Sequence, residues 1–368
     1  MQEWNYKSLS ESSSGYEDVI DKLKSYTKEK YINSTEEIQQ QMIEDVFQIY
    51  RGKNIFPITY YNDTGIINEI QKCLNKDIKW DSDVLDFKYN QGQTLCKYLF
   101  PNLMKVDVKN TKNNSMYERF YNDHKLKRAI KFCFEFDTAV TPTKIQAGLR
   151  MIGGGVASNY KTMNAKALYE RYCPPDGIIY DYACGFGGRM LGALTSKNNY
   201  RYFGVEPCIE TYGYLHRLGL YIERATGRQK IFKVYCMGSE DCMVKENYID
   251  FAFSSPPYFN LEKYSDEPTQ CYNKFPELEL WFDGYVRPTI ENIYKMLKPD
   301  RYYAVNIADF NLGSKKVEYV NKWIQLSKEI GFEYIEQIHM KLQTRRGVGH
   351  KENGKDINKQ EGIFIFKK

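Results

Sequence analysis

G-I-I-Y-D-Y-A-C-G-F-G-G-R, residues 177–189, is the stretch on which the fold turns. A short apolar run ends on Asp181, passes a turn holding Gly185, Gly187 and Gly188, and enters R-M-L-G-A-L, a helix start. Glycines permit positive φ and let backbone approach a ligand closely. The spacing is G-x-G-G, not the G-x-G-x-x-G of a pyrophosphate binder, and no lysine stands in a P-loop position. Taken alone, such a turn serves any tight strand-to-helix connection.

The same rhythm continues downstream. Y-R-Y-F-G-V (200–205) precedes a helical stretch to about Arg224, and I-F-K-V-Y-C-M (231–237) and I-D-F-A-F (249–253) read as further strands. A helix is predicted over W-F-D-G-Y-V-R-P-T-I-E-N-I-Y-K-M-L, then a strand at Y-Y-A-V-N-I (302–307) and another helix to Ile330. F-E-Y-I-E-Q-I-H-M (332–340) and G-I-F-I-F (362–366) close the series. Short apolar strands alternating with amphipathic helices predict an α/β fold, a mostly parallel sheet with helices on both faces. In such sheets ligands bind beyond the carboxyl ends of the strands.

Upstream the alternation is missing. S-T-E-E-I-Q-Q-Q-M-I-E-D-V-F-Q-I-Y (34–50) has a capping residue and helical spacing. Lys105–Lys131 is rich in Lys, Arg and Asn with Tyr117, Phe120 and Tyr121 interleaved, and I-G-G-G-V-A-S-N-Y (152–160) is a glycine-rich hinge. Two domains are expected: 1–150, mainly helical and accessory, with target recognition as one role, and 151–368, carrying the sheet.

Composition narrows the classes. With 42% hydrophobic residues in 368, the chain can bury one large core or two modest ones. No run of about 18 apolar residues occurs, so no membrane partner is expected, and the N-terminus lacks a signal-peptide layout. Nine cysteines stand singly, without C-x-x-C, as expected of reduced thiols in a cytoplasm. His124, His216, His339 and His350 form no ligand-spaced set, so no metal is expected. A net charge of +5 permits a polyanionic partner.

Acids recur at the strand tips. G-V-E-P places Glu206 and Pro207 after the second strand, where a carboxylate accepts from both hydroxyls of a ribose or caps the next helix. C-M-G-S-E-D places Ser239, Glu240 and Asp241 after the third, within reach of an adenine amino group. Together with the glycine turn these outline a nucleoside site with no place for phosphates. The fourth strand runs into S-S-P-P-Y-F (254–259), where two prolines fix φ and make a stiff, non-helical shelf.

D-Y-A-C-G-F-G-G together with S-P-P-Y resembles the S-adenosylmethionine-dependent amino-methyltransferases of DNA, which methylate cytosine N4 or adenine N6. The resemblance covers roughly 155–368 and implies a seven-stranded Rossmann-like sheet, S-adenosylmethionine as cofactor and a DNA base flipped into the site. It implies cofactor contacts at Asp181, Ala183, Cys184, Gly185, Gly187, Glu206, Pro207, Ser239 and Glu240. Asn159 and Tyr160, in A-S-N-Y-K-T-M-N-A-K, fall where the family holds the methionine end of the cofactor. Ser255, Pro256, Pro257 and Tyr258 take the catalytic part. The Ser255 hydroxyl and Pro256 carbonyl would accept the amino hydrogens, and Tyr258 would stack on the base, a contact worth about 1–3 kcal/mol. Serine at the first shelf position leans towards cytosine N4, since adenine enzymes more often carry aspartate or asparagine there.

Substrate contacts are expected from Phe259, from Tyr264 in N-L-E-K-Y (260–264), and from Asp309, which reads equally as a helix-capping acid. Arg345, Arg346 and Lys351 in the basic loop 341–355 suit phosphates, or form a solvated hairpin. Pro207-Cys208 mimics the thiolate dipeptide of cytosine-C5 enzymes, but it follows the wrong strand, and a buried cysteine is the better reading. The family usually carries a recognition region before the shelf or after the sheet; with only about 50 residues between Glu206 and Ser255, recognition is expected instead from residues 1–150 or from the loop 341–355. RNA or protein-amide methylation, or a non-catalytic binding module, therefore remain as alternatives, and a cognate restriction or phage component as a further partner.

Overall fold

The computed structural model describes residues 13–80, 82–85, 89–108, 115–137, 139–153, 155–341, 351–352, 355–356 and 360–368. The chain forms two compact units: one of residues up to Ile66 with Pro101–Ser158, the other of Ile67–Phe100 with Asn159–Lys368. The expected cut at residue 150 thus falls after Ser158, and residues 67–100 belong with the sheet. Buried Lys166 explains that membership, because its ammonium donates to the carbonyls of Cys73 at 2.9 Å and Lys76 at 2.8 Å. Gln93 also donates to the Tyr160 carbonyl at 2.9 Å, and the Phe100 ring lies edge-on to Phe186. None of these distant pairings leaves a local signal in the sequence.

The first unit is helical. Glu36–Lys53 buries Met42, Ile43, Val46, Phe47 and Tyr50 and ends on Asn54 at φ 48°. Met116–Tyr121 starts with a capping box between Ser115 and Glu118, and Asp123–Phe136 and Pro142–Gly153 follow. Phe120, one of the aromatics interleaved with basic residues, is fully buried and packs edge-on to Tyr50 and Phe56. Its role is packing.

The sheet of the second unit contains β1 (Ile178–Asp181), β2 (Arg201–Val205), β3 (Phe232–Tyr235), β4 (Ile249–Ser254), β5 (Leu297–Ile307), β6 (Glu333–Lys341) and β7 (Gln360–Lys367). Their order is β3-β2-β1-β4-β5-β7-β6, with the two-residue strand Val84–Leu85 added outside β6. That makes eight strands among the described residues where the sequence predicts seven. Val84–Leu85 is too short for any periodicity and pairs in parallel with His339 and Met340. Strands β1 to β5 pair in parallel, and β7 enters antiparallel between β5 and β6. The strand order reverses between β1 and β4, so the crevice for a ligand opens there.

Helices α1 (Thr162–Tyr172), α2 (Gly188–Leu194), α3 (Ile209–Thr226), α4 (Arg287–Met296) and α5 (Tyr319–Ile330) pack on the strands. Tyr169 of α1 meets Phe251 and Phe253 on one face. The other face joins Ala252, Tyr303 and Val305 to Ile290, Ile293 and Trp323 in one core. Alternate β4 residues thus serve opposite layers, as the two-residue period of a strand requires. Ahead of α4 the chain makes a π-turn, Phe282–Val286. Pro288 lacks an N–H and would crowd the carbonyl four residues back, and the wider turn relieves that clash.

Candidate active site

At the tip of β1, Asp181 has no exposed surface. Its carboxylate accepts from Arg189 Nε at 2.9 Å, Tyr202 OH at 2.7 Å and Ser254 Oγ at 2.8 Å, and from the Ala183 N–H at 3.3 Å. All of its hydrogen-bonding capacity is spent inside the protein. Asp181, expected to touch cofactor, instead braces the turn, and Arg189 helps by donating to the Ala183 carbonyl as well. Cys184 is buried, its Sγ facing the Asp181 carbonyl.

The turn is built for close approach. Gly185 and Gly187 sit at φ 55° and 76°. A Cβ on Gly187 would strike Leu218 and Phe100 at 2.6–2.7 Å, whereas at Gly185 nothing lies nearer than 3.9 Å. Gly187 is thus required by packing, while Gly185 presents backbone to open space. Asn159 fixes the turn from outside, its Nδ2 donating to the Phe186 carbonyl at 2.9 Å and its Oδ1 accepting from the Gly188 N–H at 3.3 Å. Tyr160 lies edge-on to Phe253 at 5.3 Å and under the Arg189 guanidinium at 5.6 Å, with its buried hydroxyl unpartnered.

Glu206 at the tip of β2 is 7% exposed and faces this turn. One oxygen accepts from the Gly185 N–H at 2.9 Å and the other from the Cys208 N–H at 3.0 Å. Burial pushes its carboxyl up to about 7, against the pull of those two bonds. Buried Cys208 has its thiol pushed up by burial too, the reverse of an activated thiolate.

Ser239, after β3, turns its hydroxyl to Thr289 of α4 at 2.7 Å. Glu240 is 8% exposed; Lys274 holds its Oε1 at 2.6 Å, while Oε2 is buried without a partner. Burial raises this carboxyl, and the Lys274 ammonium opposes the rise. Lys274 belongs to a strap the sequence reading missed beyond Tyr264. Tyr264 packs on Phe186 with ring centroids 6.2 Å apart, Glu267 accepts from the Ile209 N–H at 3.1 Å, and Thr269 donates to the Pro207 carbonyl at 3.0 Å. Residues 264–274 thus bind at all three strand tips. The stretch S-D-E-P-T-Q (265–270) is a run of polar residues, and such a run does not name partners.

The shelf follows β4. Ser255 is half-buried and Pro256 buried. Tyr319 donates to the Pro257 carbonyl at 3.2 Å. Tyr258 lies edge-on to Phe310 and Tyr319, and its hydroxyl donates to Glu361 at 3.1 Å. Phe259, expected to touch substrate, is 2% exposed and packs on Trp281. Its φ of 52° is the left-handed region, costly for a bulky residue by about 1–3 kcal/mol. The buried ring anchors that turn, so Phe259 locks the corner. Asp309 caps α5 by accepting from the Val320 N–H at 3.1 Å and pairs with Lys316 at 3.0 Å. Arg345 and Arg346 lie outside the described residues, as does the side chain of Lys351. Among the described residues no His, Cys, Asp and Glu group suited to a metal is present.

No family model matches the chain. Over 142 residues it is 28% identical to the Type II beta methyltransferase M.BslI of Bacillus sp. (strain NEB-606), a match covering 34% of this chain and 15% of that protein. The chain therefore corresponds to a small part of that relative's length. Among solved structures, the [4+2]-cyclase SpnF is 13% identical with a TM-score of 0.39, over 56% of this chain and 81% of the other. A SAM-dependent methyltransferase from Aquifex aeolicus is 13% identical with a TM-score of 0.35, over 55% and 87%. One from Methanosarcina mazei is 15% identical with a TM-score of 0.36, over 55% and 96%.

Proposed function

We propose that this chain is an S-adenosylmethionine-dependent methyltransferase that modifies the exocyclic amine of a base in DNA, cytosine N4 in preference to adenine N6. The observation that carries the reading is the placement of S-P-P-Y and the glycine turn on the two sides of the strand-order reversal. The similarity to a stretch of M.BslI supports it.

The residues fit the cofactor. Gly185 offers open backbone, the Glu206 oxygens retain free lone pairs for ribose hydroxyls, and buried Glu240 Oε2 is an acceptor without a donor, as an adenine amino group requires. When bound, the cofactor supplies an electrophilic methyl on a sulfonium. The protein's part is to hold the amine's lone pair in line with it, and such positioning contributes as much as ~7–11 kcal/mol in favourable cases. Ser255 and the Pro256 carbonyl accept the amino hydrogens and disfavour delocalisation of the lone pair into the ring, and Tyr258 packs on the base. A duplex base reaches the shelf only when flipped out. In this reading the helical first unit contributes to target recognition.

The test is to incubate the protein with methyl-labelled S-adenosylmethionine and unmodified genomic DNA, digest to nucleosides and identify the labelled one by mass spectrometry. Labelled N4-methylcytosine is expected; N6-methyladenine would correct the base, and label only in RNA or protein would correct the substrate. Ser255→Ala should cut turnover at least tenfold with cofactor affinity nearly unchanged. Glu206→Ala should weaken cofactor binding instead.

A further inference from the structure

Beside the shelf lies a polar group of side chains that the cofactor site does not use. The last β4–β5 pair is Ser254 with Val305, so the next position sets Ser255 beside Asn306. Asn306 pairs in turn with Ile363 of β7. Paired residues share a face and every second residue returns to it, so Ser255, Asn306 and Glu361 stand on one face of three neighbouring strands. Phe253 and its partner Tyr160 belong to that face too.

Glu361 is held on several sides. Tyr258 OH donates to it at 3.1 Å, and the Asn306 amide also hydrogen-bonds it. Glu262 lies near enough to repel it and is itself bonded by the Tyr264 hydroxyl. Asn306 is 1% exposed; its Nδ2 donates to the Gly362 carbonyl at 2.9 Å, yet its Oδ1 has no partner. An orphan buried acceptor costs about 1–3 kcal/mol. It calls for an N–H donor from a ligand, and an exocyclic amine supplies two.

We propose that Asn306 Oδ1 shares with the neighbouring Ser255 hydroxyl one of the target amine's two hydrogens, and that Glu361 takes the proton this amine sheds. This rests on the amino-methyltransferase reading above. In the step, the nitrogen lone pair forms the bond to the methyl carbon as the carbon–sulfur bond breaks, its electron pair staying on sulfur. The nitrogen is then cationic, and one of its protons passes to the Glu361 carboxylate. The shelf begins with a serine, whose neutral hydroxyl is a poor base, whereas Glu361 brings a carboxylate to the same face. Burial raises the Glu361 carboxyl above its ordinary value, towards the range where a general base works best. The ionisable groups around it are Tyr258 of the shelf, Glu262 and Tyr264 after it, and Tyr160 before α1. From β6 its register partner is the neutral Met340, and the flanking His339 and Lys341 fall on the opposite face.

Glu361→Gln in the full chain tests this. The expected result is a kcat about 10²-fold lower, with cofactor and oligonucleotide affinities, read by calorimetry and fluorescence anisotropy, within about twofold of wild type. The acid limb of the kcat–pH profile should vanish with it. Tyr258→Phe is the companion variant: losing the hydroxyl whose hydrogen bond lowers its carboxyl, Glu361 should titrate at higher pH, moving the acid limb up. The same shift should be visible without cofactor, by carbon NMR of the labelled carboxyl. Wild-type turnover with an unchanged acid limb in Glu361→Gln overturns the proposal, as does an unmoved Glu361 titration in Tyr258→Phe. A wild-type protein that methylates no nucleic acid overturns the underlying reading, and the proposal with it, before any variant is made.

Discussion

Each oxygen of Glu206 already accepts one backbone N–H, and each keeps a second lone pair on the crevice side. Those bonds orient the carboxylate but do not restore its lost hydration, so the group titrates near neutrality, at about 7. Ribose hydroxyls are donors, and they bind the ionised form. Cofactor affinity should therefore hold steady above about pH 7 and fall on acidification, approaching tenfold per pH unit below that value. Calorimetric titrations between pH 5.5 and 8.5 would show the slope, and Glu206→Gln should bind more weakly and without it. A flat wild-type profile would mean that Glu206 does not contact the ligand. Asp181, one strand away, shows the other fate of a strand-tip acid. With Arg189, Tyr202 and Ser254 all bonded to it, it holds the turn.

At the scale of elements, the strap 264–274 lies across the tips of β1, β2 and β3. Glu267 and Thr269 fasten it at the tip of β2 and Lys274 at the tip of β3, through exposed or half-exposed polar bonds, each of modest strength. Gating of this kind alters rates more than affinity. Glu267→Ala, which frees the N-terminus of α3, should raise both association and dissociation rates of the cofactor several-fold in stopped-flow while changing Kd by less than about threefold. Rates equal to wild type would make the strap a fixed wall. The strap also marks where the sequence ceased to be legible. Strands β1 to β7, the glycine turn and the shelf were readable because apolar runs, glycine and proline act locally. Glu206 and Glu240 could be placed by their position at strand ends. What Asp181, Phe259 and Asp309 do depends on Arg189, Trp281 and Val320, partners that only the folded chain brings near. Asn306 and Glu361 escaped notice because strand register, not a motif, joins them to Ser255.

For the whole molecule, the sheet unit is assembled from two separate stretches, Ile67–Phe100 and Asn159–Lys368. The earlier stretch supplies the carbonyls that satisfy Lys166, a residue 1% exposed whose ammonium burial already disfavours. It also supplies Phe100, which packs edge-on to Phe186 in the glycine turn and to Tyr214 on α3. A fragment of residues 151–368, the domain that sequence alone would delimit, should therefore not fold properly. It leaves a buried ammonium without acceptors, a loss of several kcal/mol against a total stability of about 5–15 kcal/mol. It also uncovers the apolar side of the turn. The fragment should lack a cooperative thermal transition by circular dichroism and bind no cofactor. Adding residues 67–100 as a separate peptide should restore part of both, since it brings back the Lys166 acceptors and Phe100 together. A fragment that melts cooperatively by itself would show that the early stretch only decorates a sheet able to stand without it.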